Sequence, residues 1–141
     1  MNRIACIIIL ISMFLSNSYS DTEPNDSYED ANIIELDNSV SGSLDEDDTE
    51  DWYEVDLPYD GAMEVVVDPE TELDTYIWIY DVDGETNLSS ADNGSYGEVD
   101  SVKISNLMEG IYFIKVQKRY GCMHRNIISQ KHRKKISHKS K

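Results

Sequence analysis

Apolar side chains recur at every second position through most of the stretch from residue 39 to residue 116, which is the period of a β-strand with one buried face. Clusters of Gly, Asp, Asn and Pro separate the alternating segments and favour turns between them. The predicted strands cover residues 39–44, 53–57, 63–67, 75–80, a weaker segment at 102–104, and 111–116. Helical periodicity is weak and confined to residues 27–34. The pattern predicts an all-β protein, an antiparallel β-sandwich of six or seven short strands.

The N-terminus has the pattern of a secretory signal peptide over residues 1–20. A short basic start precedes the apolar residues 4–15, and Ser18 and Ser20 supply small side chains before a predicted cleavage site at Asp21. The apolar run is shorter than the roughly 20 residues that cross a bilayer, so we expect no membrane span. The predicted product is secreted, extracellular or periplasmic, and an uncleaved signal anchor is the alternative.

The charges divide the chain into two parts. The sequence holds 28 acidic and 12 basic residues, for a net charge of −16, which disfavours a specific nucleic-acid binder. All acidic residues lie between Asp21 and Glu109, whereas residues 118–141 contain only basic charges. We therefore predict an acidic domain over 21–117 and a disordered basic tail over 118–141. Cleavage would remove Cys6 and leave Cys122 without a partner for an intramolecular disulfide.

Several motifs between about residues 22 and 117 occur in the order and spacing of a known family. They are Glu23-Pro24-Asn25-Asp26, Ala31-Asn32, Val40-Ser41-Gly42-Ser43-Leu44, Asp48 with Asp51-Trp52-Tyr53, Tyr80-Asp81 with Asp83-Gly84, and Gly110-Ile111-Tyr112-Phe113-Ile114-Lys115-Val116. In these motifs the chain resembles the bacterial pre-peptidase C-terminal (PPC) domain, which includes the collagen-binding domains of clostridial collagenases. The resemblance implies a jelly-roll-like sandwich, usually appended to secreted peptidases, without catalytic activity of its own.

The acidic residues near the N-terminus are candidate calcium ligands. Asp21, Glu23 and Asn25 alternate on an extended segment, and Asp48 and Asp51 flank the entry to the next strand. Together they offer hard oxygen ligands of the kind that calcium takes six to eight of. The PPC resemblance implies the same five positions as that family's calcium ligands. The alternative is that residues 45–51 form a solvated loop and that Asn25 and Asp26 cap a short helix.

Two other acidic segments fit metal loops poorly. The run 45–56 has Glu50 where a helix-loop-helix calcium loop needs Gly, and Asp56 where it needs Glu. The segment 81–84 is typical of a hairpin turn, because Asp83-Gly84 suits positive φ.

An aromatic stripe is expected on strand 75–80. If the aliphatic residues of this strand face inward, Tyr76, Trp78 and Tyr80 point outward as a flat row that suits an extended protein or polysaccharide polymer. The alternative is that a strand, a loop or the N-terminal arm covers them as secondary core.

Catalysis is not expected. The three histidines, His124, His132 and His138, all lie in the tail, so the predicted sandwich lacks the usual general base. No spacing singles out a carboxylate pair for glycoside hydrolysis.

The basic tail stands where the PPC resemblance implies one further strand. Domains of that family close with one more strand after the 111–116 segment, and no such strand is apparent here. Reading codons for residues 123–129 from the third base of the Met123 codon permits a closing strand of the form Ser-x-Tyr-x-Ile, which motivates the hypothesis of a frameshift. A truly absent strand predicts low stability or strand exchange with a partner.

The sequence thus predicts a secreted, non-catalytic module, stabilised by calcium, that adheres to a matrix protein or polysaccharide or assists export of a peptidase. The alternatives are a truncated or vestigial fragment without activity, and a chain that binds anionic polymers through its basic tail.

Overall fold

A computed structural model of the chain describes residues 18–119 and 130–140, the second segment by its backbone alone. These residues form two facing five-stranded sheets. The strands are β1 (Ser18–Ser20), β2 (Asn32–Ile33), β3 (Ser39–Leu44), β4 (Glu50–Leu57), β5 (Gly61–Pro69), β6 (Thr75–Tyr80), β7 (Asn87–Ala91), β8 (Asp100–Leu107), β9 (Gly110–Lys118) and β10 (Gln130–Ser140). The predicted all-β sandwich is confirmed.

The first sheet has the strand order β1-β3-β10-β5-β8, and the second has the order β2-β4-β9-β6-β7. Most neighbours are antiparallel, as expected, but the two short edge strands β1 and β2 run parallel to β3 and β4. Within the described part of the chain, no helix is long and apolar enough to cross a membrane.

Alternation of side chains produces the core between the sheets. In β5 and β6, every second residue is buried, so that each strand contributes one apolar face to the interior. The fully buried large side chains are Tyr53, Ile34, Leu44, Leu57, Met63, Leu73, Ile77, Ile79 and Ile114. The period-two pattern therefore located the core correctly.

The weak helical pattern at 27–34 forms only a 3₁₀ turn, Tyr28–Asp30, followed by β2. The hairpin predicted at Asp83-Gly84 joins β6 to β7, and Gly84 has the expected positive φ of 68°. Asp83 accepts hydrogen bonds from the backbone N–H groups of Glu85 and Thr86, which identifies this segment as a turn.

Asp100 ties the two sheets together. It lies at the start of β8 in the first sheet and is fully buried. Its carboxylate accepts a hydrogen bond of 2.5 Å from the Thr75 hydroxyl on β6 of the second sheet, and two more from the backbone N–H groups of Asn93 and Gly94. One buried carboxylate thereby fixes the loop by which the chain crosses between sheets.

The basic tail differs from the sequence prediction. Residues 130–140 were expected to be disordered and the sandwich to lack its closing strand, but this segment forms β10 between β3 and β5. The prediction failed because strand pairing uses backbone N–H and C=O groups that every residue except proline carries, whereas the apolar period that predicts strands is missing here. Residues 120–129, including Cys122 and His124, lie outside the described residues.

The structure describes only the last three residues of the predicted signal peptide. Residues 1–17 of the predicted signal peptide lie outside the described residues, and Ser18–Ser20 form β1 on the edge of β3. Tyr19 packs against the core, and its hydroxyl donates a hydrogen bond of 2.8 Å to the Ile33 carbonyl.

Candidate functional site

Oxygen ligands converge where the N-terminal arm crosses β4. Side-chain oxygens of Asp21, Glu23 and Asp51 lie within 4.8 Å of one another. Asp51 is fully buried, Asp21 is partly buried and Glu23 is exposed, so the group opens from the interior to solvent. Three carboxylates at this separation form a compact oxygen cluster of the type that binds a hard divalent cation.

A second group shares Glu23 with the first. Its carboxylate oxygens, from Glu23, Asp26 and Asp48, also lie within 4.8 Å of one another. The five residues predicted from sequence are thus brought to one place, with Asp21, Glu23 and Asp51 in one group and Asp48 in the adjoining one. Asn25 is fully buried beside Glu23 and Asp51.

Backbone hydrogen bonds position the arm that carries these ligands. The Asp21 N–H donates to the Ser41 carbonyl, and the Trp52 N–H donates to the Asn25 carbonyl, at 2.9 and 2.8 Å. Asn32 pairs with Thr22 in both directions, since its amide accepts from the Thr22 N–H and donates to the Thr22 carbonyl. The arm is therefore attached on both sides of Glu23.

Tyr53 and Gly42 form the inner wall of the cluster. The buried Tyr53 hydroxyl lies 2.5 Å from Asp21 Oδ2 and 3.1 Å from Asp51 Oδ2. A Cβ atom on Gly42 would collide with Asp21 Oδ2 and would lie 2.7 Å from Asp51 Oδ2 and 2.9 Å from the Tyr53 hydroxyl. The carboxylates thus occupy space that only glycine leaves open at position 42.

The Asn25 amide can contact the carboxylates in two ways. With its nitrogen toward them, it donates to Glu23 Oε2 at 2.8 Å and Asp51 Oδ1 at 3.3 Å, while its oxygen accepts from Asn32 at 3.1 Å. With its oxygen toward them, acceptors meet without a proton, which is favourable only when a cation lies between them. A cation at this point would favour the second orientation, and the hydrogen bonds favour the first.

Burial and the crowding of negative charge raise the pKa values of Glu23 and Asp48. Burial, together with the charges of Asp51 and Asp21, raises the pKa of Glu23. Burial, followed by the charges of Asp51 and Glu23, raises the pKa of Asp48 to about 7. Asp48 Oδ1 is buried and has no hydrogen-bond partner among the described residues. A cation would compensate both the repulsion and this unpartnered oxygen.

These shifts predict a pH dependence for the calcium-free protein. The pKa of Asp48 is raised from 3.8 to about 7 on folding, so the folded state holds a proton that the unfolded state has released. We expect the free energy of unfolding in excess EDTA to fall as the pH rises from about 4 to 7, and to level off above that. Urea unfolding at pH 5 and pH 8 measures the difference. Asp48→Asn should reduce it, and an unchanged pH dependence in that variant would contradict the assignment.

Three residues of this site were not among the predicted ligands. Asp26 was named in a family motif and in the alternative of a helix cap, and Gly42 and Tyr53 were named only in motifs of the sandwich. Asp26 follows Asn25 directly in the acidic motif, which was the available signal. The positions of Gly42 and Tyr53 against the carboxylates arise from facing strands, so their roles depend on the tertiary structure.

Four aromatic rings form a row on the outer face of the second sheet, which we call the aromatic ladder. Trp78 stacks on Tyr76 with ring centroids 4.4 Å apart and lies 6.4 Å from Tyr80. Tyr80 in turn stacks on Trp52 of β4 at 5.1 Å. The three predicted residues of β6 do face outward, but neighbouring rings lie at angles of 22–30° and cover one another's faces. The expected flat platform is therefore a stack in which Tyr76, Trp78 and Tyr80 are half-buried and Trp52 is buried.

Lys115 lies at the centre of this face. The register places it between Trp52 and Trp78 on adjacent strands, and its ammonium lies 5.5 and 5.3 Å from their ring centroids. It also lies 3.6 Å from Glu50 Oε2. Tyr28 from the 3₁₀ turn contacts Trp52 edge to face, at a centroid distance of 6.2 Å. The 3₁₀ turn thus contacts the ladder at Trp52.

Comparison with solved structures defines the class of the fold. The pre-peptidase C-terminal domain of a collagenase from Bacillus anthracis matches with a TM-score of 0.61 and 16% identity, over 83% of this chain and 100% of that domain. A periplasmic inhibitor of g-type lysozyme from Aeromonas hydrophila matches with a TM-score of 0.46 and 12% identity, over 77% of this chain and 99% of that one. The chain has the PPC β-sandwich fold, as its motifs predicted.

The sequence also matches a family profile. The profile described as a secretion system C-terminal sorting domain covers residues 58–130, just over half of the 141 residues. The chain belongs to the secretion system C-terminal sorting domain family, and family and fold together describe a secreted accessory module. The matched region contains β6 with most of the aromatic ladder, and it begins after the oxygen cluster at residues 21–51.

Proposed function

We propose that the chain is a secreted, non-catalytic module that binds calcium at the N-terminal oxygen cluster and adheres to an extended polymer through its aromatic ladder. The observation that carries the proposal is the convergence of Asp21, Glu23 and Asp51 with the buried, unpartnered Asp48 Oδ1. Membership in a sorting family supports a role outside the cell, attached to or assisting an exported protein such as a peptidase.

The donor set favours calcium over softer metals. Each ligand atom in the two groups is a carboxylate oxygen. The Asn25 amide would add a neutral oxygen only in the orientation that turns this oxygen toward the carboxylates. No cysteine lies among the described residues. Carboxylates and amide oxygens are the ligands that calcium prefers, with waters and backbone carbonyls completing its shell. Bound calcium would supply the positive charge that this cluster of carboxylates needs.

Calcium titration of the chain tests the metal site. We expect heat of binding by calorimetry and a rise in melting temperature with calcium concentration, because a ligand that binds only the folded state stabilises it. Asp51→Asn removes one charged ligand from the buried side and should weaken binding by at least about tenfold, or 1.4 kcal/mol. Asp47→Asn removes the same charge from an exposed position in the neighbouring loop and should leave the affinity within about twofold.

The result separates the proposal from its alternatives. If wild-type protein shows no binding heat and no change in melting temperature, the calcium proposal is wrong and a vestigial fragment becomes the better description. Equal weakening in the Asp51 and Asp47 variants would mean that net charge, and not this cluster, attracts the ion.

The aromatic ladder supplies the proposed adhesive surface. Its rings cover one another's faces, so a ligand meets ring edges and the hydroxyls of Tyr76 and Tyr80, whereas the Lys115 side chain is only 14% exposed. The indole N–H of Trp78 is buried and has no hydrogen-bond partner among the described residues. A row of amphipathic aromatics with fixed donors suits an extended ligand such as a fibrous protein or a polysaccharide.

Co-sedimentation with insoluble collagen, chitin and peptidoglycan tests this surface. Trp78→Ala removes the central ring and its two stacking contacts, and we expect retention on the bound polymer to fall by at least about tenfold. Tyr96→Ala provides the control, because Tyr96 is an exposed aromatic residue outside the ladder. Equal retention of the two variants, or no retention of the wild type on any polymer, would overturn the adhesive role.

The proposal is non-catalytic because residues 18–119 contain no histidine that could act as a general base. His132 and His138 lie on β10 of the first sheet, and His124 lies outside the described residues. The most buried carboxylates, Asp51 and Asp100, accept hydrogen bonds from Tyr53 and Thr75. Carboxylates held this way are suited to binding a cation or fixing the fold.

A further inference from the structure

The strand β10 occupies a slot that the rest of the first sheet creates. It pairs with β3 through residues 130–135 and with β5 through residues 132–140, and β3 and β5 do not pair with each other. Any segment in this slot therefore gains backbone hydrogen bonds on both sides. Without an occupant, β3 and β5 would each present a row of unpaired N–H and C=O groups.

The strands on either side of the slot, β3 and β5, favour apolar residues at alternate positions of the strand between them. Val40 and Leu44 on β3 and Met63, Val65 and Val67 on β5 are all buried to within 1% of complete burial. Residues directly opposite each other on paired strands share a face of the sheet. A strand between them should therefore carry an apolar residue in register with each of these positions.

The sequence of β10 does not meet this demand. Position 134 is in register with both Val40 and Val67, and position 138 is in register with Met63. These positions hold Lys134 and His138, and only Ile136, in register with Val65, is apolar. Placing a lysine on the core face of a sheet costs free energy, because its charge must be desolvated or its proton released.

Charge favours a basic segment on the opposite face. On β5, the residues that alternate with the buried ones include Glu64 and Asp68. The register places Arg133 opposite Asp68 and Ser137 opposite Glu64. The slot is therefore complementary to a strand with apolar residues at one set of alternate positions and basic residues at the other. The tail meets the second requirement and fails the first.

From this mismatch we propose that the slot between β3 and β5 is a binding site for an extended segment of another polypeptide, apolar at alternate positions and basic between them. The chain's own residues 130–140 are then a displaceable occupant that protects the slot until such a segment arrives. Recognition is by strand addition, in which backbone pairing supplies affinity and the alternate side chains supply specificity. This inference is independent of calcium binding and of the aromatic ladder.

A designed peptide provides the probe. It copies residues 130–140 with Gln130→Val, His132→Val, Lys134→Val and His138→Val. Together with Ile136, these changes make every second position from 130 to 138 apolar, in register with the buried wall residues over that range. We expect this peptide, labelled for fluorescence anisotropy, to bind the full chain at least about tenfold more tightly than a scrambled peptide of the same composition, because scrambling destroys the period of two.

Matched variants of the full chain test whether the peptide uses the slot. Lys134→Val with His138→Val improves the chain's own occupant, so we expect a melting temperature higher by at least about 5 °C and peptide affinity lower by at least tenfold. Lys135→Val with Lys139→Val makes the same kind of change at the other register positions, and we expect no comparable stabilisation and unchanged peptide affinity. The proposal is overturned if the designed and scrambled peptides bind equally, or if the two double variants do not differ.

Discussion

Replacing Gly42 by alanine is expected to cost both calcium affinity and stability. The added Cβ would lie 2.7 Å from Asp51 Oδ2 and 2.9 Å from the Tyr53 hydroxyl, and would collide with Asp21 Oδ2. Asp51 and Tyr53 are buried and cannot move without disturbing the core, so the change acts as overpacking, which costs about 1–3 kcal/mol. Because two of the displaced oxygens are proposed ligands, we also expect calcium affinity to fall by at least tenfold.

Two measurements distinguish these effects. Melting in excess EDTA reports the overpacking alone, and the additional rise in melting temperature with calcium reports the metal site. Ser43→Ala is the control, because it makes a change of similar size at the next position of the same strand, on the opposite face. If Gly42→Ala retained the calcium response of the wild type, the space at position 42 would be irrelevant to the ligands.

Replacing Asp100 by alanine should be the most destabilising change at a single polar residue. The fully buried carboxylate accepts three hydrogen bonds, from the Thr75 hydroxyl and from the N–H groups of Asn93 and Gly94. Truncation leaves these donors without their acceptor and detaches the loop that crosses between the sheets. Because buried donors without partners are costly, we expect the free energy of unfolding to fall by about 3 kcal/mol.

Urea unfolding of Asp100→Ala and Asp100→Asn tests the argument. The asparagine retains one acceptor oxygen, and its amide can donate to the Thr75 hydroxyl, so it should lose less than half as much stability as alanine. Equal losses in the two variants would contradict a role based on hydrogen bonding and would indicate that the negative charge itself is required.

The strands that could be predicted were those in which apolar and polar residues alternate along the sequence. In β6, Thr75, Ile77 and Ile79 are buried while the residues between them face outward, so both the strand and its two faces followed from the sequence. The short strands β1, β2 and β7 were not predicted, since segments of two to five residues carry too little pattern. β10 was missed because its pairing depends on backbone groups and on the space between two distant strands.

The candidate site was predictable as a set of ligands and not as a geometry. Asp21, Glu23 and Asn25 follow a period of two along one segment, and the family motifs point to the same residues together with Asp48 and Asp51. The division into two groups that share Glu23 depends on how the arm crosses β4. The aromatic residues likewise were predicted to face outward, but their mutual stacking involves Trp52 on another strand.

The linear sequence alone determined the class of this protein, because alternation of apolar side chains is a local property that allows few arrangements other than two facing sheets. It also singled out most of the carboxylates that converge at the oxygen cluster and the three aromatic residues of β6, but not Asp26 or Trp52. Only the tertiary structure decided that Gly42 and Tyr53 complete the oxygen cluster, that the rings cover one another, and that a basic segment lies between β3 and β5. Each of these depends on contacts between strands far apart in the chain, and no local pattern encodes such distances.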